Sequence, residues 1–198
     1  MIDYQKVPSP CYVIDEERLR RNLQVIKHVA EASGAEIILA FKGFAMWSVF
    51  PIVREYISGA AASSIHEARL CYEEMGVPAH TYAPAFRREE FGRILRYSSH
   101  ISFNSLAQYR KYMPVLKREG KHISPGLRIN PEFSEIGHGI YNPAHPGHDW
   151  GSLQMSWLTD CRKEWRASIS MCCLSLTLTA SGKCFRSWRR NSATCCRN

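Results

Sequence analysis

A lysine at the end of a short apolar segment is the residue of this 198-residue sequence best suited to chemistry. Lys42 follows the apolar residues 36–41 and precedes Gly-Phe-Ala-Met-Trp at 43–47, so its neighbours are mostly apolar. Burial among such neighbours favours a neutral amine over an ammonium ion, and a neutral amine can attack a carbonyl carbon. A lysine that extends from a strand end into solvent fits the same spacing, which leaves both interpretations open.

The segments around Lys42 are predicted to alternate between strands and helices. After a short opening strand at residues 11–14, Asp15 is expected to cap a helix that ends at Gly34. Five further segments are predicted to be strands, of which the first, residues 36–41, has the apolar character of a buried parallel strand. These segments are residues 36–41, 59–63, 80–84, 100–104 and 126–130. Predicted helices near residues 66–75, 89–97 and 106–117 separate them.

This alternation predicts an α/β fold with a parallel sheet. Because the sequence lacks a glycine-rich phosphate motif, it favours an incomplete (β/α)₈ TIM barrel of about five βα units over a doubly wound sheet. Lys42 would then lie at the C-terminal mouth of the barrel, where chemistry gathers in this architecture. Arg128, at the end of the fifth strand, is expected nearby.

The overall composition excludes several classes of protein. Hydrophobic residues make up 45% and charged residues 22% of the chain, as in globular domains. No run approaches the roughly 18 apolar residues of a membrane span, and the N-terminus lacks the layout of a secretory signal. We therefore expect a cytoplasmic protein without a membrane partner.

The composition changes near Gly147. Residues 148–198 contain eight Lys/Arg against three Asp/Glu, so five of the eight net positive charges lie there, together with six of the eight cysteines. The pairs Cys172-Cys173 and Cys195-Cys196 match no usual zinc-ligand spacing, and no metal is expected. Arginines at 186–190 could suggest nucleic-acid binding, but a charge excess confined to the tail makes that interpretation the weaker one.

Several segments before Gly147 resemble, in order, those of the carboxynorspermidine decarboxylases, in the alanine-racemase-like, fold-type III group of pyridoxal-phosphate enzymes. The most specific is Lys-Gly-Phe-Ala-Met-Trp-Ser-Val-Phe-Pro at 42–51. Supporting segments are Ser-Pro-Cys-Tyr-Val-Ile at 9–14, Ala-Ser-Ser-Ile-His-Glu at 62–67, Gly-Leu-Arg-Ile-Asn-Pro-Glu at 126–132, Tyr-Asn-Pro at 141–143 and Pro-Gly at 146–147.

The resemblance implies that residues 1–147 are the N-terminal part of a barrel in which Lys42 holds pyridoxal 5′-phosphate as a Schiff base. It implies decarboxylation of carboxynorspermidine or carboxyspermidine to norspermidine or spermidine, by a homodimer acting on this small-molecule polyamine carboxylate. Arg128 and Ser64 would lie near the cofactor. Each also has a structural interpretation, an ion pair for Arg128 and a capping box with Glu67 for Ser64.

The same resemblance implies that much of what the family needs follows this part of the chain. Its acidic partner for the cofactor ring nitrogen, much of its phosphate-binding loop and its C-terminal β-domain have no counterpart in residues 148–198. We therefore expect impaired activity and doubtful dimerisation, and open edges on the first and fifth strands. A non-catalytic pyridoxal-phosphate-binding barrel and an inactive fragment are the alternatives.

A one-base deletion near the Gly147 codon would explain the tail. The family continues after Pro-Gly with Ser-Arg-Leu-Gly, which TCA CGA CTG GGG encodes. One base later the same bases read CAC GAC TGG GG, which encodes the His-Asp-Trp-Gly found at 148–151. Residues 148–198 are therefore interpreted as an out-of-frame, non-homologous tail.

Resequencing the gene across the Gly147 codon tests this interpretation. If the base is missing only from the reported sequence, resequencing finds it and restores a frame that continues with Ser-Arg-Leu-Gly. If the gene itself carries the deletion, the codon is unchanged and the bases that follow encode Ser-Arg-Leu-Gly in the shifted frame. An unchanged codon followed by bases that do not encode Ser-Arg-Leu-Gly in that frame contradicts the deletion.

Overall fold

Helices and parallel strands alternate along the chain in the computed structural model, which describes residues 3–130, 152–153 and 167–170. The helices are α1 Glu16–Ser33, α2 Phe50–Val53, α3 Ile65–Leu70, α4 Arg88–Tyr97 and α5 Leu106–Arg118. The strands are β1 Leu39–Ala40, β2 Ala60–Ala62, β3 Ala79–Tyr82, β4 Ser98–Phe103, β5 Ser124–Asn130, β6 Ser152–Leu153 and β7 Ala167–Ser170.

Strands β1 to β5 lie side by side in chain order, and each neighbouring pair is parallel. A doubly wound sheet reverses its strand order at a switch point, whereas a barrel adds each strand next to the previous one. The order observed among these five strands is that of a barrel. The predicted α/β architecture with five parallel strands is confirmed, and in the described part of the chain a helix follows each of β1 to β4.

Two expectations about the ends of this sheet are wrong. Residues 11–14 form no strand, because no described strand pairs with them, and Tyr12 is 97% exposed. The fifth strand does not keep an open edge, because β6 and β7 both pair in parallel with β5. Gly126 lies opposite Ala167, and Ile129 lies opposite Ser152. The remaining residues of the tail, including its paired cysteines and arginine cluster, lie outside the described residues.

The ends of α1 follow the predicted capping residues. The Asp15 carboxylate accepts a hydrogen bond from the backbone N–H of Arg18 at 3.1 Å, which satisfies a donor that the first helical turn leaves unpaired. Gly34 ends the helix with φ of 67°, a left-handed conformation that costs glycine little. The helix that carries the Asp15 cap is therefore confirmed.

The core fills the space between the sheet and its helices in two clusters. The first packs helices α1 to α3 against β1 and β2, around Phe50, Ala60 and Met75. The second packs α4 and α5 against β4 and β5. Its centre is aromatic, and the rings of Phe91 and Tyr112 lie 4.2 Å apart between centroids. These clusters fix the outer face of the sheet, so that the strands present their other face to the barrel interior.

Among the described residues, no helix combines the length and the apolar character needed to span a bilayer.

Replacing Phe91 by alanine tests the second cluster. Phe91 is 1% exposed, so Phe91→Ala leaves a cavity among aromatic rings and is expected to lower the free energy of unfolding by about 3–5 kcal/mol. Urea denaturation measures this loss. Val115→Ala on the exposed side of α5 is the control, with an expected change within about 0.5 kcal/mol. Equal effects of the two substitutions would contradict the assignment of the core.

Candidate active site

The site is built on the interior face of the sheet. Successive side chains of a strand point to opposite faces, and Thr81 and Leu127 are among the residues buried on the helix side. His80, Tyr82 and Arg128 alternate with these residues, so they face the interior of the barrel. The alternation therefore decides which side chains can meet at the mouth.

Lys42 lies just beyond the C-terminal end of β1. Its predecessor Phe41 is buried, stacks on Phe50 with centroids 5.2 Å apart, and donates its backbone N–H to Ala61 O at 3.3 Å. Ala40 pairs with Ala61, and Ala61 pairs with His80. Lys42 lies two residues after Ala40, and Tyr82 lies two residues after His80. The two side chains therefore lie at the same level, at the mouth where the sequence predicted Lys42.

The apolar setting predicted for Lys42 is wrong. Phe44, Ala45 and Met46 are half-buried, but Lys42 itself is exposed and Trp47 is 61% exposed. The segment after Lys42 turns its apolar side chains partly toward the core and leaves the lysine in solvent. Within the described part of the chain, Lys42 forms no ion pair, so its amine is accessible to a reactant.

Tyr82 contacts two cations at the mouth. The Nζ atom of Lys42 lies 5.9 Å from the centroid of the Tyr82 ring, and the Cζ atom of Arg128 lies 5.0 Å from it. Nη1 of Arg128 also donates a hydrogen bond to the Tyr82 hydroxyl. The structure thus brings Lys42 and Arg128 to the same aromatic side chain.

Arg128 occupies an unusual place for an arginine, because it is 1% exposed. Burial penalises its charged form and lowers the pKa of Arg128, while the neighbouring Tyr82 opposes that shift. Guanidinium groups keep their charge in proteins, so Arg128 provides a fixed positive charge under the mouth.

Ser64 has a structural role in this arrangement. Its hydroxyl accepts a hydrogen bond from the backbone N–H of Glu67 at 3.1 Å, as the N-cap of α3. The Glu67 carboxylate reaches back to the N–H and hydroxyl of Ser63, at 2.6 and 2.8 Å, rather than to the Ser64 N–H of a standard capping box. Because Ala40 pairs with Ala61, the residue at the same level as Lys42 is Ser63 and not Ser64.

Two histidines stack one level below the mouth. The rings of His80 on β3 and His100 on β4 have centroids 3.9 Å apart, and the Ser99 hydroxyl lies 3.0 Å from Nδ1 of His100. Burial, followed by the proximity of His100, lowers the pKa of His80, while Glu36 opposes the shift. His80 therefore resists protonation in the folded chain.

Sequence reasoning missed Tyr82 and the histidine pair. The only available signal was the period of two along 80–82, which places the side chains of His80 and Tyr82 on one face once the strand is known. Their proximity to Lys42 depends on pairing between strands, which no local pattern reveals. Among the residues that the structure describes, no three His, Cys, Asp or Glu side chains group as metal ligands.

Comparison with solved structures defines the class of the fold. Diaminopimelate decarboxylase from Helicobacter pylori complexed with L-lysine matches with a TM-score of 0.78 at 14% identity, covering 96% of this chain and 51% of that chain. At that identity the likeness concerns the fold alone. The architecture is that of part of the barrel of fold-type III decarboxylases, in agreement with the predicted incomplete barrel.

The particular relatives are decarboxylases of polyamine carboxylates. The crystal structure of Campylobacter jejuni carboxynorspermidine decarboxylase complexed with norspermidine matches with a TM-score of 0.83 and 31% identity, over 95% of this chain and 47% of that chain. The curated carboxynorspermidine/carboxyspermidine decarboxylase of Campylobacter jejuni is 42% identical over 140 residues. The chain is thus homologous to the N-terminal part of the carboxynorspermidine decarboxylases.

The match covers only part of each relative. A carboxyaminopropylagmatine decarboxylase from Synechocystis sp. is 43% identical over 145 residues, which are 73% of this chain and 37% of the relative. For the Campylobacter jejuni relative the shares are 71% and 36%. The chain therefore matches a little over a third of the length of these curated relatives. No family model matches it.

The depressed pKa of His80 predicts a pH-dependent stability. Below the ordinary histidine pKa of 6.5, His80 is protonated in the unfolded chain, whereas the folded chain resists its protonation. The contribution of His80 to the free energy of unfolding is therefore fully present above pH 6.5 and is lost as the pH decreases toward the lower pKa of the folded chain. His80→Gln is expected to reduce this loss. Urea denaturation between about pH 8 and about pH 5 measures it.

The exposed His66 on α3 offers a matched control. His66→Gln is expected to leave the pH dependence of unfolding unchanged. An identical pH dependence in the unaltered chain and in His80→Gln would contradict the role given to His80.

Proposed function

We propose that this chain provides the lysine-bearing half barrel of a pyridoxal-phosphate-dependent decarboxylase that acts on carboxynorspermidine or carboxyspermidine. The observation that carries the proposal is the exposed amine of Lys42 at the C-terminal mouth, beside Tyr82 and the buried Arg128. The resemblance of the segment 42–51 to the family's lysine segment supports the same assignment.

The donor set at the mouth fits pyridoxal 5′-phosphate. An aldehyde needs an accessible primary amine, and Lys42 is exposed without an ion pair in the described part of the chain. An anionic group gains from a nearby fixed positive charge, and Arg128 supplies one. When bound, pyridoxal 5′-phosphate supplies an electron sink for the pair left by departing carbon dioxide.

Each residue of the chain would contribute through its position. Lys42 would hold the cofactor covalently and then give way to the amine of the substrate. Because Lys42 follows a strand anchored by the buried Phe41, its amine stays near the mouth after release. Arg128 would contribute a charge that cannot be neutralised at working pH, which favours an anion at the same mouth.

The substrate class follows from the relatives. The names of the curated relatives specify carboxynorspermidine, carboxyspermidine and carboxyaminopropylagmatine, which share a carboxylate on an amine-rich chain. We propose the first two as substrates of this chain. Because the chain matches a little over a third of its relatives' length, we expect turnover by the isolated chain to be slow.

Covalent attachment of the cofactor tests the role of Lys42. Incubation with pyridoxal 5′-phosphate followed by borohydride reduction is expected to add the cofactor mass to the peptide that contains Lys42. Lys42→Arg keeps the positive charge but removes the nucleophilic amine, so it is expected to abolish that labelled peptide. Peptide mass spectrometry measures the labelled fraction.

Lys117→Arg is the matched control, because Lys117 is an exposed lysine on the opposite, helical side of the fold. It is expected to leave labelling at Lys42 unchanged. Equal labelling of Lys42 and Lys117 in the unaltered chain would contradict a specific site and favour an inactive fragment. Specific labelling without release of carbon dioxide from carboxynorspermidine would favour a cofactor-binding barrel that lacks catalysis.

A further inference from the structure

We propose that Tyr82 is a positioning residue of this site, whose ring holds the side chain of Lys42 and whose hydroxyl holds that of Arg128. The inference rests on the proposed function, in which Lys42 is the residue that reacts. It assigns Tyr82 a task that no sequence motif indicated.

The place of Tyr82 in the sheet gives it access to both cations. It is the last residue of β3, the middle strand of the series β1 to β5, and it lies opposite Ser102 on β4. Lys42 follows β1 at the same level, and Arg128 lies on β5. An interior side chain on the middle strand can therefore reach toward both sides of the mouth.

The contacts of Tyr82 differ between the two cations. Arg128 donates a hydrogen bond to the hydroxyl and also lies 5.0 Å from the ring centroid, so two groups of Tyr82 hold it. Lys42 contacts the ring, with Nζ at 5.9 Å from the centroid. A cation within about 6 Å of an aromatic centroid is attracted by the ring quadrupole.

This attraction acts on Lys42 only while it carries a charge. When Lys42 is not covalently engaged, its ammonium rests beside the ring, close to the mouth where it must react again. The ring also occupies space between two positive side chains that would otherwise repel each other. Removing the ring should therefore free the Lys42 side chain to meet reactants in solvent.

Competitive acetylation measures that change without any cofactor. The full chain is treated with a trace of acetic anhydride at about pH 8, and peptide mass spectrometry gives the ratio of labelling at Lys42 to labelling at Lys117. Tyr82→Leu is expected to raise this ratio about two- to fivefold, because the ring no longer holds the Lys42 side chain against the barrel mouth. Tyr82→Phe keeps the ring and is expected to leave the ratio within about 1.5-fold.

Tyr72→Leu is the matched control, because Tyr72 is a half-exposed tyrosine that contacts Tyr97 away from the mouth. It is expected to leave the ratio unchanged. A merely structural role for Tyr82 would not alter the reactivity of Lys42 relative to that of Lys117. If Tyr82→Leu fails to fold, as judged by circular dichroism, Tyr82→Met preserves most of the apolar volume without a ring and carries the same expectation.

An unchanged ratio in the folded ringless variant overturns the proposal. An equal rise in Tyr82→Phe also overturns it, because the effect would then run through the hydroxyl and Arg128 rather than through the ring. Since acetic anhydride reacts without pyridoxal 5′-phosphate, failure of cofactor attachment at Lys42 rejects the proposed function separately from this result.

Discussion

The parallel register of β1 to β5 is the constraint on which the candidate site depends. Each strand adds next to the previous one, so the C-terminal ends of all five meet at one mouth. This arrangement brings Lys42, Tyr82 and Arg128 together although 86 positions separate the first from the last. A shift of one residue in β3 would turn Tyr82 toward the helices and remove its contact with both cations.

The packing outside the sheet maintains that register. Leu127 and Phe103 are buried against α4 and α5, and this burial leaves Arg128 on the interior face. Phe41 plays the same part for Lys42, because its ring is buried against Phe50 while the next residue emerges at the mouth. Hydrophobic burial thus positions the polar residues of the mouth.

The charge distribution at the mouth explains how a buried arginine and an exposed lysine can share one site. Arg128 is removed from solvent, which costs free energy unless hydrogen bonds compensate for the loss of water. The Tyr82 hydroxyl provides one such bond, and its ring faces the guanidinium. Lys42 retains its solvent and therefore its freedom to react. A buried fixed cation and an exposed amine suit a site that binds an anionic cofactor and must release its own lysine.

The sequence by itself determined the order of strands and helices from residue 36 onward, the caps Asp15 and Ser64, and the place of Lys42 after the first strand. These features depend on neighbours along the chain, such as apolar periodicity and capping residues, and so are legible locally. Local patterns did not reveal three other features. These are the exposure of Lys42, the absence of a strand at 11–14 and the pairing of β5 with tail residues. Tyr82 and the His80–His100 stack also escaped detection. Only the tertiary structure decided them, because each depends on which residues of distant segments lie opposite one another across the sheet.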